Sequence, residues 1–382
     1  MPATVTAVVA GGVAVTSAAA GGAPDVPDRT AAQVLALAGT ARVDAFSGTV
    51  RSKADLGLPD LSALSGLAPA AGRDGGDPAA GSKADPQAVL TRLLAGTTTL
   101  RVWADGPTRQ RVQLLDQFAE VALVRSGRDV WAFDTGSATG THWVLPDVPA
   151  GGGKTPNAPA AATTTTPEAL AGQVLAKVDP TTSVTLEAPQ TVAGRAAYTL
   201  VVAPRTDATL VDRAVLAVDA GNGAALRVQV YARGHSDPVL ETGFTDVDFS
   251  RPDASRFAFT PPAGADVTTK TVPAPPAPQR PTGADRADAD KAVAALGDAV
   301  QVVGTGWAAV LVATPPQGGT TPDGTATPDV ADLLANPALA QLTTPVAGGR
   351  ALRTALLSVL LTDDGRVLAG AVPVEALQDA AR

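Results

Sequence analysis

The chain has 382 residues, a formal net charge of −8, no Cys and only two His. A length of this size buries a sizeable core unaided, and the absence of thiols excludes disulfide frameworks, Cys nucleophiles, Cys-type zinc sites and a lipid-acylated cysteine. The Lys and Arg residues are dispersed, which argues against nucleic acid as a partner because affinity for its backbone depends on a basic patch.

Taken in chain order, residues 1–27 come first. Val5 to Ala20 is apolar and no charge precedes Asp25, so the stretch suits a signal-peptide core or a marginal membrane span, and hence export. The small residues Ala18, Ala19 and Ala20 suit cleavage; the missing basic residues leave a disordered Ala/Gly tail as the alternative reading. From Asp28, "DRTAAQVLALAGTARV" combines an Asp cap with apolar Val34, Leu35 and Leu37 and predicts an amphipathic helix. A strand around Phe46 and Val50 follows. Leu56, Leu58, Leu61, Leu64 and Leu67 then sit in a loop otherwise rich in Gly, Pro, Asp and Ser. Exposed leucines in such a loop read as a lid over a cavity mouth or an edge that meets a membrane or partner, with packing onto the sheet rim as the alternative.

After a helix in "PQAVLTRLLAG", Leu100 and Val102 alternate with Arg101 and Trp103. Asp105-Gly106-Pro107 turns the chain, and Val112 and Leu114 resume the pattern, so this is a β-hairpin. Strands are expected again around Val121 to Val124, Val130 to Phe133 and His142 to Leu145, with Trp103, Trp131 and Trp143 packed in the sheet. Beyond a Gly/Pro/Thr linker, a second helix stops at Pro180. A second meander then runs through "YTLVVAPR", "RAVLAVDAGNGAALRVQVYARG" and "PVLETGFTDVDFS". About ten strands against two or three helices predict an α+β fold, one large curved antiparallel sheet with helices on one side. The domain division is residues 28–268, a Pro-rich linker 269–284, and a small α+β module 285–382. Within that module "VQVVGTGWAAVLVAT" reads as a strand, and a hairpin turns at Asp363-Asp364-Gly365.

Motifs for chemistry fail one by one. "GGGKT" lacks the first glycine of a phosphate loop, and Pro156 forbids the helix that should follow. His235, Ser236 and Asp237 are the three triad residue types, but consecutive turn residues cannot set a base against its nucleophile. Asp285, Asp288 and Asp290 complement a helix start without an ion, so no metal site, cofactor or catalytic residue is expected. Apolar surface remains. Strands such as "EVALVR" and "AVLAV" are apolar on both faces, so one face is expected under helices and the other under a ligand or a second layer. The inner face either encloses a cavity or is filled by its own side chains.

The closing run carries a resemblance. A strand ends at Pro204, "AVDAGNGAALRV" follows, a later strand holds Phe244 and Asp246-Val247-Asp248, and Phe257 and Phe259 precede Pro261-Pro262-Ala263-Gly264. This resembles the closing half of the bacterial lipoprotein carrier superfamily, the LolA/LolB-like proteins, and the two-domain layout looks like their RseB-type relatives. The likeness covers residues 28–268 in element order and rests on turn and packing residues, which identify fold better than activity. It implies a half-open antiparallel β-barrel of about ten to eleven strands, covered on one side by helices, in an extracytoplasmic, non-enzymatic protein without cofactor. The implied partner is the acyl part of a lipid or lipoprotein; the RseB-type alternative is a stress sensor that binds a membrane anti-sigma factor. On that reading the apolar cavity candidates are Leu100, Val102, Val112, Leu114, Val121, Leu123, Leu200, Val202, Leu226, Val228 and Val230.

Overall fold

Thr30 starts the first helix, α1 (Ala31–Thr40). Its hydroxyl accepts from the Gln33 amide at 3.3 Å, and the Gln33 side chain accepts from the Thr30 amide at 2.8 Å. This is a capping box, and it moves the cap from the expected Asp28 to Thr30, because only Thr30 has a Gln three residues on. The structure, a computed structural model, describes residues 23–57, 96–115, 120–146, 181–272, 300–314 and 342–382. The apolar N-terminal run up to residue 22, Leu58, Leu61, Leu64, Leu67, the "GGGKT" segment, the helices expected before Gly96 and Pro180, and Asp285, Asp288 and Asp290 lie outside the described residues.

Twelve strands build one sheet: β1 (Ala45–Ala54), β2 (Gly96–Asp105), β3 (Arg109–Leu115), β4 (Glu120–Ser126), β5 (Asp129–Asp134), β6 (Thr139–Val144), β7 (Thr182–Val192), β8 (Arg195–Pro204), β9 (Val211–Asp219), β10 (Ala225–Ala232), β11 (Leu240–Asp248) and β12 (Asp266–Thr271). Their order is β12-β6-β5-β4-β3-β2-β1-β11-β10-β9-β8-β7. Two antiparallel meanders, β1 to β6 and β7 to β11, are thus joined where β11 returns beside β1. The end strands β12 and β7 do not pair, so the sheet stays open, a half-barrel rather than a closed one. β12 was not expected; it adds to β6 in parallel, with Val267 opposite Gly140.

The turns follow their residues. Gly106 takes φ 73° after Asp105, and Ala193-Gly194, at φ 50° and 74°, close the β7–β8 hairpin with the doubly left-handed geometry that matches strand twist. Register shifts at Thr49/Val50 against β11, at Ala225/Arg227 against β9 and at Glu187/Gln190 against β8 bend the sheet.

A second, six-stranded sheet contains β13 (Val300–Val303), β14 (Val310–Ala313), β15 (Thr344–Val346), β16 (Gly349–Arg353), β17 (Ser358–Thr362) and β18 (Val367–Gly370), in the order β13-β14-β18-β17-β16-β15. The helix α2 (Val374–Ala380) packs on it through Val374 and Leu377, against Leu360 and Leu368. "VQVVGTGWAAVLVAT" is not one strand, as expected, but the β13–β14 hairpin. Gly304 and Gly306 adopt φ 84° and 61°, which a continuing strand cannot accommodate, around a short 3-10 turn, Gly306–Ala308.

The second sheet docks on the first. Leu210 N and Thr209 Oγ1 both donate to the Ala371 carbonyl at 2.7 Å, Trp307 Nε1 donates to Thr182 Oγ1 at 2.9 Å, and Ala355 N donates to the Leu56 carbonyl at 2.9 Å. Trp307, Leu356 and Ala371 add apolar contact to the cluster around Leu200 and Leu216. No helix among the described residues is long and apolar enough to cross a membrane.

Candidate functional site

Period-two alternation and the pairing register place the candidate residues. In an antiparallel sheet, directly opposed residues share a face. One cross-strand row runs Phe244, Val50, Leu100, Leu114, Val121; the next runs Val247, Gly48, Val102, Val112, Leu123, Ala132. Two residues along β1, Ser52 opposes Thr242, and that row continues through Val228, Leu216 and Leu200. The row beyond it holds Leu240, Val230, Ala214 and Val202. Ten of the eleven cavity candidates therefore project from one face of the sheet, and Leu226 sits at the β9–β10 bulge.

That face is covered unequally. On the β7–β10 half, α1 lies against β7 and β8, and Val34, Leu35 and Leu37 join Leu200, Val202, Val228 and Val230 in one buried cluster together with Trp307 and Leu356 from the second sheet. The helix is tied down ahead of its cap: Tyr198 Oη donates to the Pro27 carbonyl at 2.7 Å and accepts from Arg29 Nε at 3.2 Å. At its other end Gly223, φ 78°, passes so close that a Cβ there would stand 2.7 Å from the Leu37 carbonyl oxygen. On the β1–β5 half, Leu100, Val102, Leu114 and Val121 are buried in a second cluster together with Leu226 of β10 and Val192, Ala197 and Ala217 of β7 to β9, flanked by half-buried Val112, Leu123 and Trp143. Its rim is Phe46 and Phe244, packed edge to face at 6.0 Å. No described helix touches this half. Neither of two cavities formed by described residues, of about 440 and 410 Å³, is lined by any of the eleven.

On the reverse face of β3 to β6 the chain after β11 packs against the strands. Phe257, in the 3-10 turn Ala254–Phe257, is buried beside β3 and β4, and Phe259 lies 5.3 Å from Trp131 and 5.4 Å from Phe133. This explains why "EVALVR" is apolar on both sides: Val121 and Leu123 serve one face, Ala122 and Val124 the other. Trp103 and Trp131 fall on the reverse face, and Trp143 on the candidate face. Of the lid candidates only Leu56 is described; it is half-buried, with its carbonyl bonded to Ala355 of the second sheet.

The polar groups are structural. His142 Nε2 lies 2.8 Å from Asp129 Oδ1, and its ring stacks on Trp131 at 3.9 Å. His235 is exposed, with Nδ1 3.2 Å from the Arg233 carbonyl. Asp219 is buried; burial works to raise its pKa, but the Arg195 hydrogen bonds, with the amides of Asn222 and Gly221, outweigh that and hold it below the usual range. Asp105, also buried, is paired by Arg109 and by Arg251 at 3.2 Å. Asp364 is lowered to about 2 by hydrogen bonds from Arg366 and Thr362. Among the described residues no three His, Asp or Glu side chains gather as a metal site would need.

No protein-family model and no curated protein matches the chain significantly. Among solved structures it is similar to Pseudomonas aeruginosa MucB in complex with MucA, at 17% identity over 92% of this chain and 96% of that one, with a TM-score of 0.39. An uncharacterized conserved protein from Thermus thermophilus shares 11% identity over 63% of this chain and 99% of its own, at TM-score 0.31. A LolA superfamily protein from Nitrosomonas europaea shares 11% identity over 61% and 99%, at TM-score 0.20. These overlaps are partial, and the fold class rests on the sheet itself: α+β, mostly strand, with a half-open antiparallel sheet whose one face is apolar from β4 to β8.

Proposed function

We propose that the chain is an extracytoplasmic, non-enzymatic carrier that holds the acyl chains of a lipid or lipoprotein on the apolar half-face of β2 to β4. The observation that supports this is the unequal cover. Leu200, Val202, Val228 and Val230 are packed under α1 and the second sheet, whereas Leu100, Val102, Leu114 and Val121 are covered by side chains of the same sheet, among them Val192, Ala197 and Ala217, with Val112 and Leu123 half-buried at the margin. Such a surface recognises hydrocarbon without a polar anchor: each buried methylene contributes about 0.8 kcal/mol, so a contact of about twelve supplies several kcal/mol after ordering losses. Specificity among acyl chains is accordingly low.

The experiment is native mass spectrometry of the full chain purified from its own host, paired with a fluorescent fatty-acid titration of the Val112→Lys/Leu123→Lys variant. Co-purified acyl lipid, with binding weakened at least tenfold in the folded variant, is the expected result. Absence of extractable lipid together with no fatty-acid binding overturns the carrier reading.

A second reading, a regulator of the RseB type that contacts a membrane anti-sigma factor, is favoured by the edge strand β13. Val300, Val302 and Val303 are 42%, 65% and 43% exposed, and β13 has no strand on its outer side among the described residues. An exposed apolar edge accepts an added strand. Co-purification of a membrane anti-sigma protein, lost on Val302→Pro, separates this reading from the carrier.

A further inference from the structure

On the reverse of the sheet, opposite the apolar rows, β1, β11 and β10 form a cationic notch. Arg51 opposes Gly243 on β11, and Gly243 in turn opposes Arg227 on β10. The three residues share one cross-strand row, with the side chain missing from the middle position. Two strand spacings of about 4.8 Å separate the outer pair, a gap that two arginine side chains can close on a small ion but not on each other. Lys53 stands two residues along β1, opposite Glu241. Together these residues line a cavity of about 410 Å³ that also includes Phe244 and Thr245.

The cluster is arranged rather than incidental. Three cations face one carboxylate, which leaves the cavity net positive in a chain whose formal charge is −8. Neither Arg51 nor Lys53 has an ion-pair partner among the described residues, unlike Arg109, Arg195, Arg233 and Arg366. Arg227 is oriented by a chain of hydrogen bonds: it donates to Gln190 Oε1, Gln190 Nε2 donates to Thr199 Oγ1 at 3.1 Å, and Thr199 donates to the Ala188 carbonyl at 2.8 Å. Its aliphatic stem leans over Gly243, where a Cβ would lie 2.8 Å from Cγ. A guanidinium held by one edge keeps its remaining N–H groups for a second acceptor, and paired guanidinium forks match the oxygens of a phosphate group in bidentate geometry.

The geometry points to a phosphate-binding site formed by Arg51, Lys53 and Arg227 across Gly243. The ligand class is a phosphate group carried either on a small molecule or on a phospholipid headgroup. This goes beyond the acyl-carrier reading and does not rest on it, because none of the eleven apolar candidates lines the notch.

The test uses the full chain with two probes, inorganic phosphate by calorimetric titration and vesicles of phosphatidylglycerol or phosphatidylcholine by co-sedimentation. Saturable phosphate binding that weakens at least tenfold in Arg51→Gln/Arg227→Gln, and weakens with added salt, supports the site. Phosphate that competes the protein off phosphatidylglycerol vesicles assigns the headgroup as the source; phosphate binding without vesicle binding assigns a small molecule. Gly243→Val, which fills the notch without changing charge, is expected to weaken phosphate binding as well, whereas Arg227→Lys retains part of it. Failure of both probes to bind, or binding that the double Gln variant leaves unchanged while its fold is intact by circular dichroism, overturns the proposal. Native lipid content reports separately on the opposite face.

Discussion

A glycine-to-alanine substitution has opposite signs at two positions of this chain, and the comparison tests the packing of the apolar rim. At Gly48 on β1 a Cβ would run into the Asp246 carbonyl oxygen and lie 3.0 and 3.2 Å from Cδ1 and Cε1 of Phe244. The oxygen belongs to backbone that pairs β11 with β1 next to a bulge, and the Phe244 ring is held against Phe46, so neither neighbour rotates away. Overpacking of this kind destabilises by about 1–3 kcal/mol, against which a strand alanine recovers about 0.5–1 kcal/mol of the chain entropy that glycine loses. The net expectation for Gly48→Ala is a loss of about 1–2 kcal/mol. At Gly39, near the end of α1, nothing lies within 4 Å of the added carbon and the backbone is helical. Gly39→Ala therefore stabilises by up to about 1 kcal/mol. Urea denaturation of both variants reads the difference. A Gly48→Ala protein as stable as the parent would refute the tight approach of β1 to Phe244, and with it the closed rim of the apolar half-face.

Three further outcomes follow from the polar and interdomain contacts. Asp219→Asn removes the charge facing Arg195 while the Asp219 side chain is 1% exposed and Arg195 is 36% exposed; loss of the pair and weakening of its two turn amides is expected to destabilise by about 2–3 kcal/mol, measured by the same urea midpoint. The pKa values of Asp219 and Asp364 lie below the ordinary carboxylate value of about 3.9, so each contributes stability that is complete above that value and lost as pH falls through the folded one. Asp364→Asn should accordingly flatten the fall of Tm between about pH 4 and about 2, where Asp364 titrates in the folded state. Trp307→Ala deletes the indole bond to Thr182 and its apolar contact with the first sheet. Calorimetry should then resolve separate transitions for the two sheets, and an unchanged single transition would show that the docking does not depend on Trp307.

Local chemistry carried most of the fold. Asp105-Gly106-Pro107, Asp219 to Gly223 and Asp363 to Gly365 each mark a turn by residue type alone, and the alternation around them fixes which side chains share a face. That is why ten dispersed candidates fall on one face. What alternation cannot carry is cover. Nothing between Leu200 and Val230 distinguishes a residue under α1 from one facing a cargo, because both environments ask only for hydrocarbon. The same holds on the reverse side, where Phe257 and Phe259 are legible as packing residues but their target strands, more than 120 positions earlier, are set by tertiary contact. β12 escaped notice because "DVTTKT" has weak alternation and gains its place by parallel addition to β6. The notch escaped it too: Arg51, Arg227 and Gly243 are unremarkable until the register sets them in one row.

The two faces of the sheet therefore pose different demands on a ligand. Around β2 to β4 the candidate face offers rows of branched aliphatic side chains, with Arg125 at the far end of β4 its one charged group, so a ligand bound there would gain its free energy mainly from released water and would not be strongly selected by shape. Behind β1, β10 and β11 the surface offers orientation and charge, with Gln190 and Thr199 fixing the direction of Arg227 and an absent side chain at Gly243 leaving room. The two meet at Phe244, which lines the notch and also belongs to the apolar cluster. If both proposals hold, the protein either carries a lipid while resting on an anionic surface or reads two ligands independently. The double Gln variant distinguishes these, because vesicle binding falls in the first case while acyl loading stays as it was.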